Sequence, residues 1–157
     1  DLATAQSGKL VFSDSHRLLK DRTKFILTVR DSIENISEEI TINKNESQVI
    51  DPVPLTFIPT DKIGYVDSRM VYVDAALLVY PLIVRKWREG DVFQPFGLKG
   101  NKKISKFYKD EKLSLAAKEK TWLLCSGKTI VWVIGMRADD RFKVTEKTTQ
   151  IVKITTN

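Results

Sequence analysis

Two apolar runs that do not alternate, residues 122 to 125 and 130 to 134, constrain the fold most. They flank Ser126-Gly127-Lys128-Thr129, a four-residue loop of the kind that closes a β-hairpin. A hairpin with one wet face alternates apolar and polar residues. This one does not, so it is expected to lie centrally with both faces covered. Trp122 and Trp132 are accordingly read as core residues, with base-stacking platforms as the lesser reading. A chain of 157 residues, 42% of them hydrophobic, is long enough to supply those covering layers within one compact unit.

Residues 81 to 113 hold the second strong signal. Leu82, Ile83 and Val84 form a β-branched run that leads into Arg85, Lys86 and Arg88. A turn follows at Glu89-Gly90-Asp91, then a loop bounded by Gly97 and Gly100, then a lysine-rich stretch. At about 100° per residue, positions 102 to 112 place Lys102, Lys103, Lys106, Lys109 and Lys112 on one arc and Ile104, Phe107 and Tyr108 on the other. The expectation is a helix docked through its apolar side, with Asn101 as N-cap and Lys102 and Lys103 in the first turn. Cations there oppose the helix dipole, at about 0.3–1 kcal/mol each, unless an anion sits between them. A solvated lysine face is the plain alternative; Arg85, Arg88 and Lys99 just upstream weigh against it.

Charge is unevenly placed. Residues 1–81 hold 9 Lys/Arg against 12 Asp/Glu, and residues 82–157 hold 17 against 8. The second half therefore carries more than the whole net charge of +6 and calls for a polyanionic partner. Nucleic acid is preferred to a membrane, because no amphipathic lipid anchor accompanies the charge. No apolar run approaches the roughly 18 residues of a membrane span, and no signal peptide is visible. One cysteine, Cys125, fits a reducing cytoplasm. The opening on Asp1 is read as that of a fragment of a longer protein.

Elsewhere, residues 9 to 12 read as a short strand, Ser13-Asp14-Ser15 as a turn, and 16 to 20 as strand or helical turn. Residues 24 to 30 alternate Phe25, Leu27 and Val29 on one side, as a half-buried strand does. His16, the only histidine, has no Cys or His companion for a metal site and is read as structural. Residues 31 to 48 are polar and acidic, with strand character only at 40 to 42 and a loop at 43 to 47. Adjacent Glu38 and Glu39 point to opposite faces of a strand, so a solvated edge is preferred to paired acid–base work. Pro52, Pro54 and Pro59 favour edge strands and extended chain. Residues 63 to 67 and 70 to 74 read as strands, 75 to 80 as a buried apolar link, 114 to 119 as a helical turn, and 150 to 155 as a final strand.

Chemistry is sparse. There is no Ser/His/Asp or Cys/His set, no metal-ligand cluster and no glycine-rich nucleotide loop. Ser126-Gly127-Lys128 lacks the rest of a Walker A motif. A nuclease site built from Asp91, Asp110, Asp139 and Asp140 is the weakest reading, since their spacing does not support it; Asp139-Asp140 more simply holds a turn or pairs with nearby arginines.

The stretch PLIVRKWREGDVFQPFGLKGNKKISKFYKDEKL resembles the C-terminal domain of the tRNA(Ile)-lysidine synthetase family. IVWVIGMRADDRFKVTEKTTQIVKI resembles that family's terminal strands, and HRLLKDRTKFIL the segment joining its two C-terminal domains. The likeness covers most of residues 9 to 155, is dense from Pro81 onward and is thin between Ser32 and Arg69. It implies a domain that holds tRNA, chiefly by the acceptor stem, while a catalytic domain uses ATP, with magnesium, to attach lysine to the wobble cytidine of an isoleucine tRNA with a CAU anticodon. That catalytic domain carries a Ser-Gly-Gly-x-Asp-Ser loop, which this chain lacks, so the chain alone is expected to be inert. Its partners would be that tRNA and its own N-terminal catalytic domain.

Carried over by motif position, Arg85, Arg88, Lys102, Lys103 and Lys106 are the leading RNA contacts. Lys99, Lys109, Arg137, Arg141 and Lys143 form a second group. Gly90, Gly97 and Gly100 are expected to permit turns, and Phe93, Phe96 and Phe107 to pack the helix onto the sheet. Lysines are denser here than the family pattern requires.

The fold class expected is α+β and strand-dominated: a mostly antiparallel β assembly with one or two short helices. Residues 1–30 would join from a preceding domain, 31–80 form a partly irregular β segment, and 81–157 the basic tRNA-binding core. A stand-alone RNA-binding or protein-interaction β domain is the alternative function.

Overall fold

The computed structural model describes residues 6–12, 16–29 and 39–157. The turn expected at residues 13 to 15 and the acidic segment 31 to 38 lie outside the described residues. Along the chain come β1 (Leu10–Phe12), β2 (His16–Asp21), β3 (Lys24–Val29), β4 (Ile40–Ile42), β5 (Gln48–Val49), β6 (Leu55–Thr60), β7 (Met70–Asp74) and β8 (Leu82–Arg85). Then follow β9 (Val92–Phe93), β10 (Lys102–Lys103), helices α1 (Ile104–Asp110) and α2 (Leu115–Lys120), β11 (Leu123–Ser126), β12 (Thr129–Val133), β13 (Arg137–Ala138) and β14 (Ile151–Thr156). Every strand pairing among the described residues is antiparallel. The fold is strand-dominated α+β, as the sequence implied.

The β11–β12 hairpin organises the molecule. It occupies the middle of a five-stranded sheet ordered β13-β12-β11-β8-β4. Its register shifts between Leu124 and Cys125, which leaves Val131 as the extra residue of a bulge. Leu124, Val131 and Trp132 join one apolar cluster, whereas Leu123, Cys125, Ile130 and Val133 join another. The unbroken apolar runs are thus explained by cover on both faces.

The first cluster is shared with a four-stranded sheet ordered β5-β6-β14-β7, through Leu55, Phe57, Val71, Val73, Val152 and Ile154. The second is roofed by α1, through Ile104, Phe107 and Tyr108, together with Phe93. Each fully buried side chain of this size contributes about 1.5–3 kcal/mol. Pro59 is tolerated inside β6 for a local reason. Phe57 donates its N–H to Ser47, on the β5 side (2.8 Å). Two residues on, the proline nitrogen points the same way, where two-residue β5 no longer runs.

Some expectations fail. Residues 63 to 67 form no strand, and Ile63, Tyr65 and Val66 are exposed. The link after β7 is a 3-10 turn (Ala75–Leu77) in which Leu78 is buried but Leu77 and Val79 face water. In β3, Phe25 and Leu27 are 50% and 65% exposed. Alternation shows which residues share a face of β3, but the buried face is the other one, where Leu19 of β2 sits opposite Ile26. The small β1–β3 sheet is tied to the rest by Arg17, which grips Glu119 of α2 through two bonds of 2.9 and 2.6 Å.

Candidate nucleic-acid interface

The helix begins later than its periodicity implied. Lys102 and Lys103 are a strand, paired with Phe93 and Val92, and Ile104 donates its N–H to the Asp91 carbonyl at 2.9 Å. Asn101 is therefore not the N-cap, and neither lysine stands in a first helical turn. The dipole argument for an anion at that point falls with them. A non-local backbone pairing, invisible to helical spacing, captured the two residues. The apolar side behaves as expected: Phe107 meets Phe93 edge to face with centroids 5.1 Å apart, and Tyr108 meets Trp87 at 5.7 Å.

Lys103, Lys106 and Lys109 project outward, Lys106 being 68% exposed. Lys102 is pinned instead. Its ammonium sits 2.8 Å from Asp110 and 5.7 Å from the centre of the Phe107 ring. That contact, with attraction to Lys106 and Lys109, holds the Asp110 carboxyl below its usual range.

Arg85 belongs to the interior rather than to a surface patch. Its guanidinium forks onto Asp91 at 2.8 and 2.9 Å, with side chains only 12% and 15% exposed. Asp91 also accepts the Arg88 backbone N–H at 2.7 Å, which closes the turn. Burial alone would raise the Asp91 carboxyl; the Arg85 fork and the Arg88 N–H outweigh it and bring the pKa below the ordinary value. The β-branched run and its first arginine are thus one structural clip. Arg88 is exposed and pairs with Glu39 across the end of β4. Lys86 turns inward over the Trp122 ring (4.1 Å) and donates to the Glu119 carbonyl. Burial, partly offset by Glu119, lowers its pKa to about 8.

Arg137, Arg141 and Lys143 gather where residues 94 to 97 pair with β13 and the turn that follows it. Asp139 is fully buried and fully bonded: it accepts from the Gln94 N–H (2.8 Å), the Arg141 N–H (2.9 Å) and the Arg141 guanidinium (2.9 and 2.8 Å). Asp140 takes the Lys143 ammonium at 3.0 Å. Both aspartates hold the turn and pair with neighbouring cations, as the sequence implied. Arg137 donates to the Phe96 carbonyl at 3.3 Å. For Lys99, Lys103 and Lys109 no ion pair forms among the described residues. Gly90, Gly97 and Gly100 have φ of 90, 82 and 82°, the turn conformations expected of them. Phe96 departs from expectation. It does not pack α1 but stands 51% exposed.

The four candidate nuclease aspartates each engage a cation, and no group of three His, Cys, Asp or Glu side chains is placed to hold a metal among the described residues. Ser126 to Thr129 do not suit a nucleotide phosphate either, because the Ser126 hydroxyl accepts the Val79 N–H at 2.7 Å. No helix is long and apolar enough to cross a membrane among the described residues. What sequence reasoning missed is the groove beside Phe96, a residue that the sequence reads as core.

The described residues form a helix-roofed, two-sheet β domain with a cationic outer face. Two family descriptions match the chain, "TilS substrate C-terminal domain" over residues 82–154 and "TilS substrate binding domain" over residues 1–30. The tRNA(Ile)-lysidine synthase of Parabacteroides distasonis is 40% identical over 157 residues, covering 95% of this chain and 34% of its own length. That of Bacteroides thetaiotaomicron is 37% identical over 148 residues, covering 94% and 32%. A crystal structure described as the TILS C-terminal domain superposes with a TM-score of 0.65 at 16% identity, covering 76% of this chain and 97% of that one, and so shares its fold. The chain belongs to the tRNA(Ile)-lysidine synthase family, as its C-terminal region, and spans about a third of the length of these relatives.

Proposed function

We propose that this chain holds the tRNA of a tRNA(Ile)-lysidine synthase, by its acceptor stem, while a separate N-terminal domain uses ATP, with magnesium, to join lysine to the wobble cytidine. The substrate would be an isoleucine tRNA with a CAU anticodon, and the setting the cytoplasm. The observation that carries this is the outward set Lys103, Lys106 and Lys109 on a rigid, sheet-backed roof, continued by Arg88 and Lys99. Arg137 adds a cation beside Phe96, while Lys102, Arg141 and Lys143 are held by Asp110, Asp139 and Asp140 and act by fixing the surface around them. Arg85 acts indirectly by fixing the turn that leads into this surface.

The chemistry suits an A-form stem. Its deep major groove is closed to side chains, so recognition rests on phosphates, 2′-hydroxyls and shape. Several long, hydrated lysines on an inflexible support meet a phosphate ridge without reading sequence. The relatives' names support an isoleucine tRNA as the RNA. The test is made in the full-length enzyme carrying Lys103→Ala, Lys106→Ala and Lys109→Ala together. KM for tRNA is expected to rise about tenfold or more, with KM for ATP unchanged. An unaltered KM for tRNA would remove this surface from the account.

A further inference from the structure

Between the four-stranded sheet and the β12–β13 end of the five-stranded sheet lies an open groove of about 430 Å³, within the usual range for small-molecule clefts. Val71, Val73 and Trp132 contribute to its apolar lining, and Phe96 stands at its lip with half its surface in water. Phe96 is not on a loose loop. Its backbone N–H donates to Ala138 at 2.9 Å, Pro95 bridges to Asp139, and buried Asp139 holds Gln94. The ring is presented to solvent by a braced support.

Around it the rim is cationic. Arg137 is anchored on the Phe96 carbonyl, and Lys143, whose ammonium Asp140 holds at 3.0 Å, lines the same groove. The one other acid on the lining besides Asp139 is Asp67, which is engaged by Arg69 at 2.8 Å through the backbone and 3.3 Å through the guanidinium. An exposed aromatic over an apolar slot, with cations beside it, is the arrangement that takes a base out of a stack and meets its phosphate. An apolar peptide would use the slot but not the cations.

We infer that this groove receives one unpaired nucleotide at the end of a helical RNA stem, stacked against Phe96 with its phosphate on Arg137. The inference rests on the RNA-holding function proposed above and adds a second point of attachment, distinct from the lysine roof.

The experiment measures anisotropy of two labelled hairpin RNAs binding to the full chain, one blunt and one with a short unpaired 3′ extension. The extension is expected to tighten binding about tenfold or more, as stacking of a base on an aromatic ring does. Phe96→Ala should erase that gain without changing affinity for the blunt hairpin, and Phe96→Trp should keep it. Lys106→Ala with Lys109→Ala should weaken both RNAs by the same factor and leave the gain intact. A gain that survives Phe96→Ala, an extension that adds nothing, or a Phe96→Ala that weakens both RNAs alike would each overturn the groove assignment while leaving the roof in place. Failure of the unaltered chain to bind either hairpin would overturn the holding function and the groove together. A dimer in light scattering that Phe96→Ala dissolves would overturn it too, by assigning the groove to a second copy.

Discussion

Asp91 and Arg85 show how a basic motif divides its labour. With both side chains largely buried, removing one partner strands the other. Arg85→Ala is therefore expected to destabilise the chain by about 2–4 kcal/mol in urea unfolding. Lys106→Ala, at an exposed position, should stay within about 0.5 kcal/mol. The same pair gives a pH signature. The Asp91 pKa is held below its ordinary value of 3.8, so its stabilisation is full above that value and is lost as pH falls through the lower folded one. Asp91→Asn should be less stable near neutral pH and flatter below about pH 4. An unchanged slope of stability on pH in that range would count against the clip. In the sequence Arg85 and Lys106 are equals, because a string of cations does not say which of them has a carboxylate folded onto it.

At the scale of elements, α1 is a roof held by its rings. Phe107→Ala should cost about 3–5 kcal/mol. Tyr108→Phe makes the sharper test: its hydroxyl is buried with no hydrogen-bond partner among the described residues, so its removal should be neutral or stabilise by up to about 1 kcal/mol in thermal unfolding. A clear destabilisation would mean that the hydroxyl has a partner. How far the sequence revealed these elements follows from the range of the forces involved. The β11–β12 hairpin was legible because turn chemistry and apolar continuity are local. The helix start was not, since the pairing of Lys102 with Phe93 depends on a loop that brings distant backbone alongside. Phe25 and Leu27 carry a true strand period, but a period names a shared face and not the one that is buried. Phe96 reads as core in the sequence because it is aromatic; the bridge from Pro95 to Asp139 that turns it outward spans the fold.

Across the whole molecule, three layers carry a cationic face in which some cations are paired and others are not. Asp91, Asp110, Asp139 and Asp140 each neutralise a neighbouring cation, while Lys99, Lys103 and Lys109 form no ion pair among the described residues. The most direct test of the central claim is the salt dependence of binding to isoleucine tRNA, compared between the unaltered chain and one carrying Lys103→Ala, Lys106→Ala and Lys109→Ala. For every phosphate that a removed lysine had neutralised, the plot of log affinity against log salt should flatten by about one unit. The difference in affinity between the two proteins should accordingly shrink as salt rises. Parallel plots of equal affinity would contradict the account.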